Sequence, residues 1–283
     1  HLFVCPRGGK FFLPTMVKSS KRIKVCQFNA GKRDAALDEL SFRIKEGQTN
    51  IIMLTEPPTR KEFLGGRQNF RHIVKKIENC QEGIMFESQT GKDPTRTSIW
   101  VEKSLAKTLK CTLLHQFSNR DMTTVSVQIT DLDGKPVTLI LSSIYMPSLD
   151  ENGKLISEPF DDKCLELSKF ASQNKWALII GTDANAHSGA WGCQHDNSRG
   201  FSLAQACIEQ KIDVLNVGST PTFDIGGKKS IIDITLANER GTELVSNWIV
   251  DPRMSFSDHK MIFFEIGYEQ GHEHGAIDKK KIK

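Results

Sequence analysis

The stretch Trp176–His187, WALIIGTDANAH, decides how this chain is organised. Its first half, WALII, is a short apolar run of the kind that forms a buried strand. Its second half turns polar at once, with Asp183, Asn185 and His187 at alternate positions. Alternate residues of an extended backbone point to one side. A carboxylate, an amide and an imidazole would then share a face beside a hydrophobic core, and those groups suit a metal or a phosphate. Asp, Asn and Gly are also ordinary turn residues, so a capped turn accounts for the same letters.

Outward from this stretch, similar strands alternate with helices at both ends of the chain. RIKVCQF (22–28) reads as a strand. RDAALDELSFRIKEG follows, with Ala36, Leu37, Leu40 and Ile44 at helical spacing and Gly47 as a stop. NIIMLTEPPT reads as a buried strand ended by prolines. Between 70 and 145 come the strand-like runs HIVKKI, EGIMFES, TSIWVEK, MTTVSVQIT and PVTLILSSIYMP. The last two flank TDLDGKP, whose Asp-Gly pair signals a hairpin. DDKCLELSKFASQN and RGFSLAQACIEQKI read as helices, and DVLN, TPTF, SIIDITLA, ELVSNWIV and MIFFEIG as strands. The pattern predicts one α/β domain, a four-layer sandwich of two facing mixed sheets with helices outside. It is expected over residues 22–267, after a flexible lead-in (1–21) and before a charged tail (268–283).

Composition sets limits. The chain has 283 residues, 38% hydrophobic and 25% charged, with a net charge of +4. That mild basicity permits an anionic partner without demanding one, so any DNA contact has to come from a local cluster. Seven cysteines with no CxxC pair point to reduced thiols in an intracellular protein. His187, Cys193, His195 and Cys207 have irregular spacing that matches no standard zinc site. No apolar run is long enough to span a bilayer, so no membrane partner is expected.

The candidate functional residues sit where strands end. Asn29 closes the first strand, Glu56 follows IIMLT, and Tyr145 closes LSSIY. Asp183 and Asn185 follow WALII, Asp233 lies among isoleucines, and Asp258–His259 precede the last strand. Each has a bland reading alone. Asn29 can cap the next helix, and Tyr145 can be a core-edge aromatic with its hydroxyl in water. Asp233 is hardest to dismiss, because a carboxylate among Ile231, Ile232 and Ile234 needs a partner or a solvent-facing side. If the strand ends converge, Glu56 and Asn29 offer oxygen ligands for Mg²⁺, which binds through one or two carboxylates and keeps waters. Asn185 and Tyr145 can donate to phosphate oxygens. Ser257-Asp258-His259 cannot form a serine-hydrolase relay, since consecutive residues of an extended backbone face opposite ways. His259 therefore needs an acid from elsewhere, and Asp233 is the candidate.

The ordered set QFN, LTE, SSIYMP, GTDANAH, SIIDITL and SDH resembles the endonuclease/exonuclease/phosphatase superfamily over about 22–267. DANAHSGAWGC followed by SRG and a helix is similar to the endonuclease domains of non-LTR (LINE-type) retrotransposons. The resemblance implies an Mg²⁺-dependent (or Mn²⁺-dependent) DNA endonuclease that nicks its target and leaves a 3′ hydroxyl to prime reverse transcription. Glu56 is then the main metal ligand, with Asn29 and Asp258 near the metal. Tyr145 contacts the scissile phosphate, Asn185 holds a phosphate oxygen, and Asp183 handles a proton. His259, oriented by Asp233, stabilises the developing charge or acts as base. Gly31 stands where abasic-site repair enzymes carry a further acid, which weakens a repair reading.

The expected partners are double-stranded DNA and the rest of a polyprotein that includes a reverse transcriptase, which the absent initiator methionine fits; the expected location is nuclear. Basic residues at 60–76, among them Arg67, Arg71 and Lys75, are candidate phosphate contacts, with a solvated surface as the alternative. Ser148 is a further candidate DNA contact. Trp191 either wedges into DNA or packs down its own loop. Abasic-site repair, phosphoinositide phosphatase and deadenylase activities share this catalytic centre, and a non-catalytic relative would have lost Glu56, Asp183 or His259.

Overall fold

The computed structural model describes residues 20–65, 69–88, 93–130, 135–150 and 152–269. The strands, in chain order, are β1 Ser20–Asn29, β2 Ile51–Thr55, β3 Thr59–Phe63, β4 Phe70–Val74, β5 Gly83–Phe86, β6 Thr97–Glu102, β7 Thr112–Leu113 and β8 Met122–Thr130. They continue with β9 Pro136–Tyr145, β10 Ala177–Asp183, β11 Ile212–Val214, β12 Phe223–Ile225, β13 Lys228–Ser230, β14 Asp233–Asn238, β15 Val245–Val250 and β16 Ile262–Glu269. The helices are α1 Asp34–Lys45, α2 Lys103–Thr108, α3 Asp162–Asn174, α4 Ser198–Gln210 and α5 Glu239–Thr242.

One sheet holds β11-β14-β10-β9-β8-β7 and the other β15-β16-β1-β2-β6-β5. They touch through the single pair Glu269–Thr130. Both are mixed, with β1–β2 and β9–β10 parallel and their other pairs antiparallel. The expected four-layer sandwich is the observed one. Its middle is an apolar core between the sheets, built from residues such as Val25, Met53, Ile99, Val127, Leu141 and Ile179. Helices α3 and α4 cover the outer face of the first sheet with Leu167, Ala171, Leu203 and Cys207. Helix α1 covers the second with Ala36, Leu37, Leu40 and Ile44, the four residues whose spacing marked it as a helix. Asp161 and Asn197 cap α3 and α4 by accepting from the main-chain N–H of Cys164 and Gly200.

The two-residue period of the strands explains where the polar residues go. Inward positions of β1 read Ile23, Val25, Gln27, Asn29, from apolar to polar. Those of β9 read Leu139, Leu141, Ser143, Tyr145, and those of β10 read Ala177, Ile179, Gly181, Asp183. The register sets Asp183 beside Tyr145 on one side and Asp233 on the other. The inter-sheet core is therefore greasy at one end and polar at the other. Polar side chains close the polar end by bonding across the gap. Gln27 donates to the carbonyls of Thr182 (3.3 Å) and Ile234 (3.0 Å) and accepts from Thr235 (2.7 Å). Ser143 donates to the Leu54 carbonyl at 2.9 Å. Gly181 leaves the space that Gln27 fills, since a Cβ there would stand 3.0 Å from the glutamine side chain.

Some elements differ from the sequence reading. The prolines after β2 do not end the pairing; a two-stranded ribbon, β3–β4, follows them. SIIDITLA becomes a strand only from Asp233, because Thr222 Oγ1 accepts from the N–H groups of Ile232 and Asp233 and caps its start. Strands β8 and β9 pair antiparallel as the Asp-Gly signal predicted, while residues 131–134 of the turn lie outside the described residues. The six described cysteines are all unbridged. No described helix is long and apolar enough to cross a membrane.

Candidate active site

The polar end of the sandwich opens into a cleft of about 480 Å³, whose wall includes Glu56, Tyr145, Asp183, Asn185, His187 and His259. The extended-backbone argument for GTDANAH is corrected in one respect. Strand β10 stops at Asp183, and Asn185 takes a left-handed φ of 47°. A turn, not a continued strand, brings Asp183, Asn185 and His187 to one cleft. Glu56 is left-handed too, at φ 43°. Non-glycine residues in this region are uncommon and carry strain of roughly 1–3 kcal/mol each where the surroundings hold them. Two such residues line the cleft.

Asp183 is 3% exposed. It accepts from the Asn29 side-chain amide at 2.8 Å and from the Asn185 N–H at 3.2 Å. Burial, then the nearby charge of Asp233, push its carboxyl up to about 7, against the opposing pull of His259 and Asn29. His259 Nδ1 lies 2.8 Å from Asp233 Oδ2, the partnership expected for that pair. Burial alone would lower the imidazole; the Asp233 carboxylate beside it, with Asp183 and Glu56, raises it to about 9. Tyr145 is pushed up to about 12 by burial and by the charges of Glu56 and Asp183, so its hydroxyl remains a donor at neutral pH. The Arg96 guanidinium lies 4.7 Å from the Tyr145 ring centre and pairs with Asp121. It steadies the phenol from behind, a contact that no local sequence pattern announces.

Among the described residues, Asp183, Asp233 and His259 are the group of three or more metal-capable side chains whose atoms converge, within 4.8 Å. Within that group the His259 Nδ1 and Asp233 Oδ2 are already engaged with each other at 2.8 Å. Glu56 and Asn29 fit a metal better. Glu56 is partly open to solvent, with hard carboxylate oxygens facing the cleft, and it is held by Lys32 (3.1 Å) and the Asn29 amide (3.2 Å). One or two carboxylates with room for water is the donor chemistry that Mg²⁺ favours. Asn29 Oδ1 accepts from the Gly31 N–H at 2.8 Å. Asp258 pairs with Arg33 at 2.6 Å and is absent from the cleft wall.

The loop before β16 is tied down by serines. Ser257 Oγ donates to the Asn29 carbonyl at 2.8 Å, and Ser255 Oγ bonds the carbonyls of Ser257 and His259. Ser257 thus fixes the Asn29 end of β1 to the histidine loop. The β12–β13 ribbon is braced on the same loop: Asp224 N–H donates to the Asp258 carbonyl (2.8 Å), and Lys260 N–H to that of Thr222 (2.6 Å). Its turn, Gly226-Gly227, takes left-handed φ values of 57° and 82°, and Lys228 and Lys229 line the cleft. Neither lysine was among the sequence candidates. A Gly-Gly pair flanked by short polar strands was the available signal.

The other candidates stand apart from the cleft. Trp191 is corrected as a DNA wedge: it is 1% exposed, packs in the core under α4, and donates Nε1–H to the Ile231 carbonyl at 3.1 Å. A side chain so enclosed packs its own loop. Arg71 pairs with Glu62 (2.6 Å) across the β3–β4 ribbon, and Lys75 pairs with Asp34 (2.7 Å). Ser148 is half-buried in the loop after β9, and its carbonyl accepts from Ile156 N–H. Arg67 lies outside the described residues. His187, Cys193, His195 and Cys207 form no ligand group.

Residues 139–263 match the family described as endonuclease-reverse transcriptase. A type-1 retrotransposable element R1 Pol polyprotein from Bradysia coprophila is 32% identical over 101 residues. That alignment spans 32% of this chain and 10% of the polyprotein, so the match reaches about a tenth of that relative's length. The endonuclease domain of TRAS1, a telomere-specific non-LTR retrotransposon, superposes with a TM-score of 0.66 at 25% identity. The superposition covers 89% of this chain and 100% of that one. The AP endonuclease LMAP from Leishmania major shares the fold, with a TM-score of 0.62 at 11% identity over 87% of each chain. With its two-sheet architecture, the family match over residues 139–263 and the superposition on TRAS1, the chain has the fold of the endonuclease/exonuclease/phosphatase superfamily and is similar to the endonuclease domains of non-LTR retrotransposons.

Proposed function

We propose that this domain is a divalent-metal-dependent DNA endonuclease that hydrolyses one phosphodiester of a duplex and leaves a 3′ hydroxyl. The observation that carries this reading is the convergence of Glu56, Tyr145, Asp183, Asn185 and the Asp233-paired His259 on one cleft. Asp183 near 7 can exist as carboxylate at neutral pH, and His259 near 9 is then cationic. With Nδ1 committed to Asp233, its Nε2–H is the group left to donate to a phosphate oxygen as negative charge develops. Asp183 is left to accept the proton of the attacking water or to return one to the leaving oxygen. Asn185 and Tyr145 offer neutral donors to the same phosphate. Glu56 and Asn29 would hold Mg²⁺, which when bound supplies Lewis-acid neutralisation of phosphate charge.

Lys228 and Lys229 on the braced ribbon supply positive charge beside the cleft, suited to the backbone of a duplex. The relative's designation as a Pol polyprotein supports a linked reverse transcriptase that extends the 3′ hydroxyl, and the site of action in this proposal is nuclear. The test is conversion of supercoiled plasmid to nicked circle with Mg²⁺, beside an EDTA control and Asp183→Ala. Nicking that requires both the metal and Asp183 is expected, with the variant inert because loss of such a group costs several kcal/mol of barrier. Nicking that survives either control would overturn the reading. An abasic duplex run in parallel separates the repair alternative, which requires a strong preference for the damaged strand.

A further inference from the structure

The SRG segment has no role in the chemistry above, yet Arg199 is 2% exposed. Among the described residues its guanidinium bonds main-chain carbonyls alone. Nε and Nη2 each donate to Ala184 at 3.1 Å, Nη2 also to Met146 at 2.9 Å, and Nη1 to Ile156 at 2.6 Å. Among the described residues no carboxylate hydrogen-bonds it, and the nearby Asp183 charge offsets only part of the burial that lowers its pKa, a costly arrangement for a bond that a neutral amide could make. What a neutral amide cannot do is reach three carbonyls from one planar fork.

Two of the three carbonyls, those of Ala184 and Met146, mark the segments that carry the site. Ala184 lies between Asp183 and Asn185, and Met146 directly follows Tyr145. The Met146 carbonyl also accepts from Asn185 Nδ2 at 3.2 Å, so Arg199 and the Asn185 amide share one acceptor. Asn185 is the left-handed residue of that turn. Gly200 completes the arrangement: a Cβ there would stand 1.8 Å from the His187 carbonyl oxygen, so the first turn of α4 rests directly on the loop backbone.

We infer that Arg199 is a positioning residue for the proposed phosphodiesterase: by gripping the Met146 and Ala184 carbonyls it holds the strained Asn185 turn and aims the Asn185 amide at the phosphate. The inference rests on the phosphodiester reading of the cleft. Lysine keeps the charge at this position but lacks the fork, and glutamine keeps two donors without the charge.

The experiment is a double-mutant cycle of Arg199→Lys with Asn185→Ala, read as kcat and KM for plasmid nicking, with Arg199→Gln in parallel. R199K is expected to lower kcat by roughly ten- to a hundredfold, the effect of a small misplacement, with KM little changed. In the N185A background the same substitution should cost far less, because both act through one group. Hydrogen exchange provides a readout independent of turnover. Amides 184–187 should exchange faster in R199K and R199Q while those of β10 keep their protection. Wild-type turnover in R199K, equal costs in both backgrounds, or exchange that quickens uniformly through the fold would each overturn the inference. An N185A single variant that nicks at the wild-type rate would instead overturn the role given to Asn185, a distinct result.

Discussion

The side-chain amide of Asn29 donates to Asp183 at 2.8 Å, joining the two sheets between residues 154 positions apart in the chain. The same nitrogen lies 3.2 Å from Glu56, so one amide links Glu56 with Asp183. Its pull opposes the burial that raises Asp183 to about 7. Asn29→Ala should therefore raise the Asp183 pKa further. If Asp183 works as carboxylate, the acid limb of kcat against pH moves to higher pH, and activity falls more at neutral than at alkaline pH. A profile merely scaled down, with its limb in place, would show that the amide does not act on Asp183.

The Asp233–His259 pair makes stability depend on pH in a known direction. The folded imidazole is raised from 6.5 to about 9. Its stabilising contribution is fully present below 6.5 and is lost as pH rises through about 9. Asp233→Asn should lower the imidazole pKa, seen directly by NMR of the ring in metal-free protein. The stability gap between wild type and variant, from urea melts, should be widest on the acid side of that window and shrink on the alkaline side. A gap independent of pH would exclude the charge pairing.

Trp191→Phe tests a structural role for the buried indole. The change removes the stronger of the two donors to the Ile231 carbonyl and leaves the weak Cys193 thiol, a loss of roughly 0.5–1.5 kcal/mol, measurable as a lower denaturant midpoint. DNA affinity of the folded variant should match wild type. Weakened affinity at unchanged stability would return Trp191 to the DNA-contacting residues.

Lys228 and Lys229 line the cleft from the braced ribbon, so replacing both with Gln should weaken duplex binding and flatten its salt dependence. Each lost phosphate contact removes about 0.9 from the slope of log K against log salt. Hydrolysis of a short phosphodiester too small to reach the ribbon should be unaffected. An unaltered slope would show that the lysines face solvent in the complex.

Much of this architecture is legible in the strands themselves. Inward positions change from apolar to polar along each strand, as in Ile23, Val25, Gln27 and Asn29. A period of two therefore marks both the core and the end where polar groups gather. That is why Asn29, Tyr145, Asp183 and Asp233 were identifiable from local pattern, and why Asp233 among isoleucines demanded a partner. The short ribbon β12–β13 was not identifiable in the same way. Its strands bury little, so no apolar alternation marks them.

The sequence by itself determined the layers, the order of most strands and the residues at their polar ends, because burial on a pleated strand is written in alternate letters. Tertiary structure decided which groups meet. It turned Trp191 inward. It also set Lys228 and Lys229 over the cleft and placed Arg199 beneath the Asn185 turn. Those outcomes depend on hydrogen bonds between residues far apart in the chain and on which face of a loop closes over the core. Neither leaves a periodic signal, since a loop residue's direction is set by what it packs against rather than by its neighbours in sequence.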